Sequence, residues 1–594
     1  MKIKESYRKN WAPYLWAVPD ITVYQITSGI MYFVLIYILK QAAMLLLEST
    51  GRVAISSGDF GFLFKTWQGP LLLFIALAIL FFYVATDINI QIAYAGKLLK
   101  GQKISFLELI KESLISIKNL FTPDGILIII YIALIAPIVG LGVSISLTSG
   151  LYIPTFITSV IHDNPLYMVL YIFGLAIFFL IGIFNIFTLH GIVIDKLPSN
   201  RADNQSRELF RKNWLDFIKQ TILFMINVAI INGIVFLILI LVPIIISSLF
   251  GLDKDHNLFL FCFICISVAL FLVIFNSFVE SFFLIRMTQL YYRYKGEEER
   301  FTYRKGTARI SFMITGFLLT ILFSAFMSYI IETNFETLFT NQVNVKIIAH
   351  RGGGNEAIEN SVKGVEKAIE LGADGSEIDI RRTTDGYYII NHDNTFARLC
   401  SSTRKPEEMT LEEVKQLKVL DPHFPDEVGE IATIEEMMDT AKDRIKLFIE
   451  LKGSSADRQM VDDMVKMIRE KDMVDDCVLI SLKYDLIDYT EKNYPEIETG
   501  YLAFVSIGDT SKLNCDYLGL EEEASSSTTI MNVHMQDKKF MVWTPNQEDS
   551  QRHFLLTKAD YIITDKVSQA KQMVEQLRNR SDYELIVDQI LSLF

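Results

Sequence analysis

The sequence predicts two units of different class. Residues 1–340 read as an all-α polytopic membrane domain with about seven transmembrane helices, and residues 341–594 as an α/β domain built as a (β/α)8 TIM barrel. Three observations predict this. The first half holds repeated apolar runs long enough to span a bilayer. The sign of the charge changes between the halves. After residue 341, short apolar runs alternate with amphipathic stretches, the pattern of strand–helix repeats.

The bulk numbers agree. The chain has 594 residues, 51% hydrophobic, with a mean hydropathy of +0.31, too long for one ordinary domain and too apolar on average for a soluble one. The first 340 residues carry 26 Lys+Arg and 21 Asp+Glu, whereas residues 341–594 carry 30 and 48. An acidic second half argues against a nucleic-acid partner, since binding a phosphate backbone needs positive surface. It still suits a phosphoester if a bound cation supplies the positive charge.

The apolar runs lie near 22–47, 70–96, 124–147, 165–195, 218–248, 257–287 and 308–332. The stretch 222–250 is the clearest, with no charged residue. The first run lacks a small-residue cleavage site and reads as an anchor. Loops alternate in charge. Lys2, Lys4, Arg8 and Lys9 precede the first run; Lys97, Lys100, Lys103, Lys111 and Lys118 follow the second; Lys196, Arg201, Arg207, Arg211, Lys212 and Lys219 lie between the fourth and fifth; seven basic residues run from Arg286 to Arg309. The other loops hold Arg52 and Lys65, none, and Lys254. The positive-inside rule then puts the N-terminus and the basic loops in the cytoplasm and everything after residue 332 outside the cell membrane. Segments 6–17, 105–121 and 206–220 interleave Arg/Lys with Trp/Phe and read as amphipathic helices at the cytoplasmic lipid surface. RKNW occurs at both 8–11 and 211–214. Asp87, His190 and Glu280 are the ionisable residues that stand out inside the runs, placed for interfacial structural roles or for a lipid or substrate path. The five cysteines form no disulfide framework, and the C-x-x-C of Cys262 and Cys265 falls in an apolar run, where two core residues of a helix are expected.

In the second half, strands are expected at 346–349, GSEIDI, YYIIN, KLFIEL, CVLIS and YIITD, with helices such as 411–417 and 434–442 between them. Chemistry in a TIM barrel gathers at the C-terminal ends of strands, and the polar residues stand there. The first strand ends in His350-Arg351-Gly352. The second carries Glu377 and Asp379, two apart and so on one face. A TTDG turn leads to a third strand ending in His392-Asp393, and a later one supplies Glu450 and Lys452. Glu377, Asp379 and Glu450 make a hard oxygen site for Ca²⁺ or Mg²⁺. His350 and His392 remain for proton transfer, and Arg351 and Lys452 for holding a phosphate. The glycines at 352–354 lack a following G-K-[ST] and read as a flexible turn, not a phosphate-cradling loop.

Seven markers in order give a resemblance: IIAHRG (347–352), Glu359-Asn360, GADGSEIDIRRTTDG (372–386), NHD (391–393), ELK (450–452), WTPN (543–546) and YIITD (561–565). Residues 346–575 resemble the glycerophosphodiester phosphodiesterase family, and the preceding half resembles the multi-span membrane domain fused to such enzymes in Gram-positive bacteria. The resemblance implies a metal-dependent hydrolase releasing glycerol 3-phosphate and an alcohol from a glycerophosphodiester. It implies His350 and His392 as general acid and base, Glu377, Asp379 and Glu450 as cation ligands, Arg351 and Lys452 on the phosphate, Trp543 walling the pocket, and Glu359 and Asn360 in support. Released lipid headgroup diesters, lipoteichoic-acid-type polymers and lysolipids are candidate substrates, and membrane lipids the expected surroundings. Ile358 replaces the family's usual proline, and Ala432-Thr433 its proline-threonine pair. The competing reading makes the membrane half the principal activity, a transporter or lipid-handling scaffold with the barrel as accessory. Two histidines free for proton transfer favour the hydrolase.

Overall fold

Apolar length decides the first half. The computed structural model describes residues 12–51, 54–56, 62–132, 155–250, 257–301, 307–339, 341–504 and 506–591. Six helices among these are long and apolar enough to cross a membrane: 12–48, 68–99, 165–193, 199–249, 258–294 and 307–333. They coincide with six of the seven runs. Of the run at 124–147, the helix Pro123–Ile130 is described and 133–147 lies outside the described residues. That helix follows the amphipathic 106–120 segment at a bend of 116°. Segment 206–220 is not a separate surface helix but the first part of Ser199–Phe250, which departs from helical geometry at Asn213. Residues 6–11 and the first RKNW copy lie outside the described residues. Cys262 and Cys265 are free thiols on one apolar helix.

The basic connections share one end of the bundle and are tied together there. Lys100 pairs with Glu297 at 2.7 Å, Lys295 with Asp195 at 2.7 Å, and Arg309 with Asp20 at 2.9 Å. Buried residues concentrate at this end, in 83–99, 187–193 and 285–292, while apolar side chains further along, such as Phe173, Leu237 and Leu322, are exposed. That is the distribution of a bundle bathed in lipid, where exposure of leucine and phenylalanine carries no penalty. Asp87 is buried among hydrogen bonds from Tyr24 (2.5 Å), Ser28 (3.0 Å) and Gln91 (3.1 Å), a structural tie between the first two long helices. The barrel packs at the opposite end, where the Tyr583 ring meets Phe261 at 4.9 Å.

The second half closes into eight parallel strands: β1 (Lys346–Ala349), β2 (Gly375–Arg382), β3 (Lys446–Leu451), β4 (Cys477–Ser481), β5 (Glu498–Ala503), β6 (Tyr517–Glu521), β7 (Lys539–Trp543) and β8 (Tyr561–Thr564). Each pairs with the next, and β8 pairs with β1 to complete the ring. Strand alternation sorts the side chains. Phe448, Val478, Ile480, Leu502, Tyr517, Met541 and Tyr561 fill the interior, while Ile378, Ile380, Leu447 and Ile449 pack outward against the helices. Gly375 leaves the interior open, because a Cβ there would come 2.7 Å from the Phe448 ring.

One expected strand is not part of the barrel wall. Tyr388–Ile390 runs antiparallel to the end of β2, with Ile390 opposite Ile380. The reason is the length of the turn: Thr383 N donates to Tyr387 O at 2.8 Å, closing a hairpin, whereas parallel neighbours need a crossover of a dozen or more residues. β5, β6 and β7 were not singled out in the sequence as strands.

Candidate active site at the barrel mouth

The acidic centre follows from strand register. Asp379 on β2 lies directly beside Glu450 on β3, and Glu377 beside Phe448, an interior residue. All three carboxylates therefore point inward. They are 1–6% exposed, and one oxygen of each lies within 4.8 Å of the others. The interleaved Ile378 and Ile380 face the helix layer, so a run that reads as buried carries two acids at no cost to the outer core. Lys452 Nζ donates to Asp379 at 2.9 Å and to Glu450 at 3.0 Å. Its ammonium thus sits on the carboxylates.

His350 and His392 flank this centre, each oriented by an aspartate. His350 Nδ1 lies 2.7 Å from Asp565 Oδ1, at the end of β8, and its Nε2 is 3.9 Å from Glu377 Oε2. His392 Nδ1 lies 2.8 Å from Asp393 Oδ1. A carboxylate on Nδ1 keeps the proton there and leaves Nε2 for chemistry. Burial works against protonated His350, but Asp565's charge and hydrogen bond outweigh it and hold the pKa above the ordinary value. At His392 burial prevails over Asp379 and Asp393 and the pKa falls. The two imidazoles are pushed apart, as an acid and a base require.

The first loop is a tight turn, which corrects the flexible reading of its glycines. Arg351, Gly352 and Gly354 have φ of 51°, 92° and 63°. A Cβ on Gly353 would come 2.6 Å from Gly364 O, and one on Gly354 2.5 Å from Asp565 O. The turn brings Arg351 N to Glu377 Oε2 at 2.8 Å. Arg351 also reaches Glu359 at 3.2 Å, and Asn360 Nδ2 donates to Asp379 Oδ2 at 2.8 Å. Glu359 and Asn360 thus lie hydrogen-bonded beside the centre. Ile358 packs in a satellite cluster with Ile389, Phe396 and Val414, and Thr433 caps the helix 434–441, its Oγ1 accepting from Glu436 N at 3.3 Å. Trp543 ends β7 at the mouth, packed against the interior cluster.

Four contributors were missed. Asp565 and Asn546 sit inside the YIITD and WTPN markers without having been given roles, and Asn546 donates to Asp565 Oδ2 at 2.6 Å. Arg398 bridges Asp393 and Glu359 at 2.7 and 2.6 Å. Arg381 donates to His392 O at 2.9 Å and Asn394 Oδ1 at 2.8 Å. A signal for Arg381 existed: it continues the inward series 377, 379, 381.

The residues present fit a divalent cation. Burial, then Asp379's charge, raises the Glu377 pKa; burial raises that of Glu450 against Lys452; and the cations around Asp379 lower its own despite burial. Glu377 Oε1 is buried without a hydrogen-bond partner among the described residues. Three clustered acids with one orphaned oxygen are short of positive charge.

Residues 6–330 match the family model described as the membrane domain of glycerophosphoryl diester phosphodiesterase, and residues 350–569 match that of the glycerophosphoryl diester phosphodiesterase family. The chain belongs to this family. A glycerophosphodiester phosphodiesterase of Caldanaerobacter subterraneus is 26% identical over 231 residues, which span 37% of this chain and 93% of that one. One from Bacillus altitudinis is 25% identical over 244 residues, 39% and 99% of the two chains. An Oleispira antarctica phosphodiesterase, solved in complex with the product sn-glycerol-3-phosphate, is 20% identical, covers 40% of this chain and 98% of its own, and superposes with a TM-score of 0.36. As a glycerophosphodiester phosphodiesterase, the chain is a phosphoric diester hydrolase with a membrane domain ahead of its barrel.

Proposed function

We propose that this phosphodiesterase is a membrane-anchored, divalent-cation-dependent hydrolase that releases glycerol 3-phosphate from glycerophosphodiesters outside the cell. One observation carries the chemistry: three buried carboxylates within 4.8 Å stand between two aspartate-oriented imidazoles. Glu377, Asp379 and Glu450 would hold the cation, Ca²⁺ or Mg²⁺. When bound, it supplies Lewis-acid charge to a phosphoryl oxygen. Arg351 and Lys452 add positive charge beside the phosphate, and Trp543 walls the pocket. Whether the attacking hydroxyl belongs to water or to the substrate's own glycerol, one imidazole takes its proton and the other gives one to the leaving alcohol. The opposed pKa directions make His392 the base and His350 the acid.

The cellular orientation rests on charge. The basic connections share the bundle end away from the barrel, and basic loops stay in the cytoplasm. Of the three residues on which the transporter reading rests, Asp87 is fully engaged by its neighbours, whereas the ring nitrogens of His190 and Glu280 Oε1 are buried without a hydrogen-bond partner among the described residues.

The test is glycerol 3-phosphate release from a panel of glycerophosphodiesters with Ca²⁺, with Mg²⁺ and with chelator, alongside His350→Ala. Cation-dependent release lost in the variant is expected. Undiminished release in chelator would overturn the metal role.

A further inference from the structure

The chain that leaves the hairpin strand Tyr388–Ile390 carries His392 and Asp393 and then a short helix, Ala397–Cys400. Phe396 and Leu399, three residues apart and so on one face of that turn, are 1% and 8% exposed and pack in the satellite cluster with Ile358 and Val414. Arg398 is thereby turned away from the cluster, and its guanidinium meets two carboxylates.

The guanidinium divides between them. Nε donates to Asp393 Oδ2 at 2.7 Å, while Asp393 Oδ1 is the oxygen 2.8 Å from His392 Nδ1. Nη1 and Nη2 donate to the two oxygens of Glu359 at 2.7 and 2.6 Å, a two-pronged fit that a guanidinium makes and an ammonium cannot. Glu359 also accepts from Arg351 Nη1, at 3.2 Å. His392, Asp393, Arg398, Glu359 and Arg351 thus form one chain of bonds, from an imidazole to the guanidinium assigned to the phosphate.

Each arm of this chain has its own consequence. Asp393 is held from both sides, so its Oδ1 stays where it fixes the His392 ring. The Glu359 side chain is only 13% exposed, and a carboxylate so placed needs a counter-charge. Arg398 supplies it with both prongs. Arg351 is left with a donor to spare: its Nε is buried without a hydrogen-bond partner among the described residues. Without Arg398, the Glu359 charge would fall to Arg351 alone and draw that guanidinium away from the phosphate.

We propose that Arg398 is a positioning residue that sets two functional groups at once, His392 through Asp393 and Arg351 through Glu359. It keeps the proton-transferring imidazole and the phosphate-holding cation in register. The proposal rests on the phosphodiesterase reading and adds to it a residue that acts only through its neighbours.

The experiment measures kcat and KM of the full chain in detergent micelles on glycerophosphoglycerol, glycerophosphocholine and glycerophosphoethanolamine. Arg398→Met should lower kcat about 10²-fold, the cost of a small misplacement at a reacting centre. It should also raise KM about tenfold, the scale of one hydrogen bond to a charged group. The two effects should then separate. Adding Glu359→Gln to Arg398→Met removes the charge that holds Arg351, so KM should return to within about threefold of the wild type while kcat stays low. A residue with a merely structural role would show no such rescue. Should Arg398→Met misfold, Arg398→Lys decides: it keeps the charge and loses the two-pronged fit, and it should show both effects, each smaller. An Arg398 variant with either constant at its wild-type value, or a raised KM that Glu359→Gln does not restore, would overturn the proposal. A wild type that hydrolyses none of the three diesters would overturn the phosphodiesterase reading, and this proposal with it.

Discussion

Asp565 and Asp393 each hold a histidine by Nδ1, so in the proposed mechanism the residues that orient the acid and base are themselves carboxylates. Replacing His350 or His392 by Ala should lower turnover by about 10²–10⁴, the scale of acid–base catalysis. Asp565→Asn tests the positioning separately. Removing its charge lowers the His350 pKa, so the His350 limb of the pH profile of kcat/KM should move to lower pH as kcat drops; an unmoved limb would dissociate Asp565 from His350. Glu377 supplies a second pH signature. Burial and Asp379 raise its pKa, so without cation the folded chain holds a proton that the unfolded glutamate loses above about pH 4.3. That contribution is present at low pH and lost as the pH rises through the raised value. In chelator the barrel's melting temperature should therefore fall over this window. With cation, which favours the ionised form, the fall should be smaller. Parallel pH curves with and without cation would count against Glu377 as a ligand.

Two short elements do most of the positioning. The turn after β1 uses positive φ at three of its four residues 351–354, and it orients the Arg351 N–H toward Glu377. Gly354→Ala should destabilise the barrel by about 1–3 kcal/mol from backbone strain alone, more if the clash with Asp565 O is not relieved, as a denaturation midpoint would register. The hairpin 382–388 carries His392 to the mouth, and Arg381 pins it through His392 O and Asn394. Arg381→Met should reduce kcat by about 10²-fold, as small misplacements do, while cation affinity holds. Lost cation binding in that variant would mean that Arg381 maintains the acidic centre instead.

At the scale of the whole molecule, the bundle and barrel are coupled by position as well as by tether. The barrel packs on the bundle end away from the ion-paired basic connections. A cysteine at exposed Glu548 should react with an impermeant maleimide in intact cells, and one at exposed Lys212 only after lysis. The reverse pattern would invert the orientation. Cation at a hundred times its Kd should stabilise the barrel by about 2.7 kcal/mol, visible as a shift in its own melting transition.

The membrane half was legible because span length and loop charge are local properties: six runs became six helices where the sequence put them. The clustered carboxylates were legible because a strand alternates faces, which puts Glu377 and Asp379 on one side whatever the surroundings. Tertiary structure alone decided the rest. Barrel closure brings Asp565 from β8 beside His350, 215 residues away, and no local pattern encodes that distance. Tyr388–Ile390 looked like a barrel strand because strand propensity is blind to direction; the short turn made it antiparallel. The strand Ala54–Ser56 is too short to signal itself and exists only because the barrel offers it an edge. Periodicity and charge act along the chain and can be read from it, whereas register, closure and docking are contacts between distant segments, settled only when the chain folds.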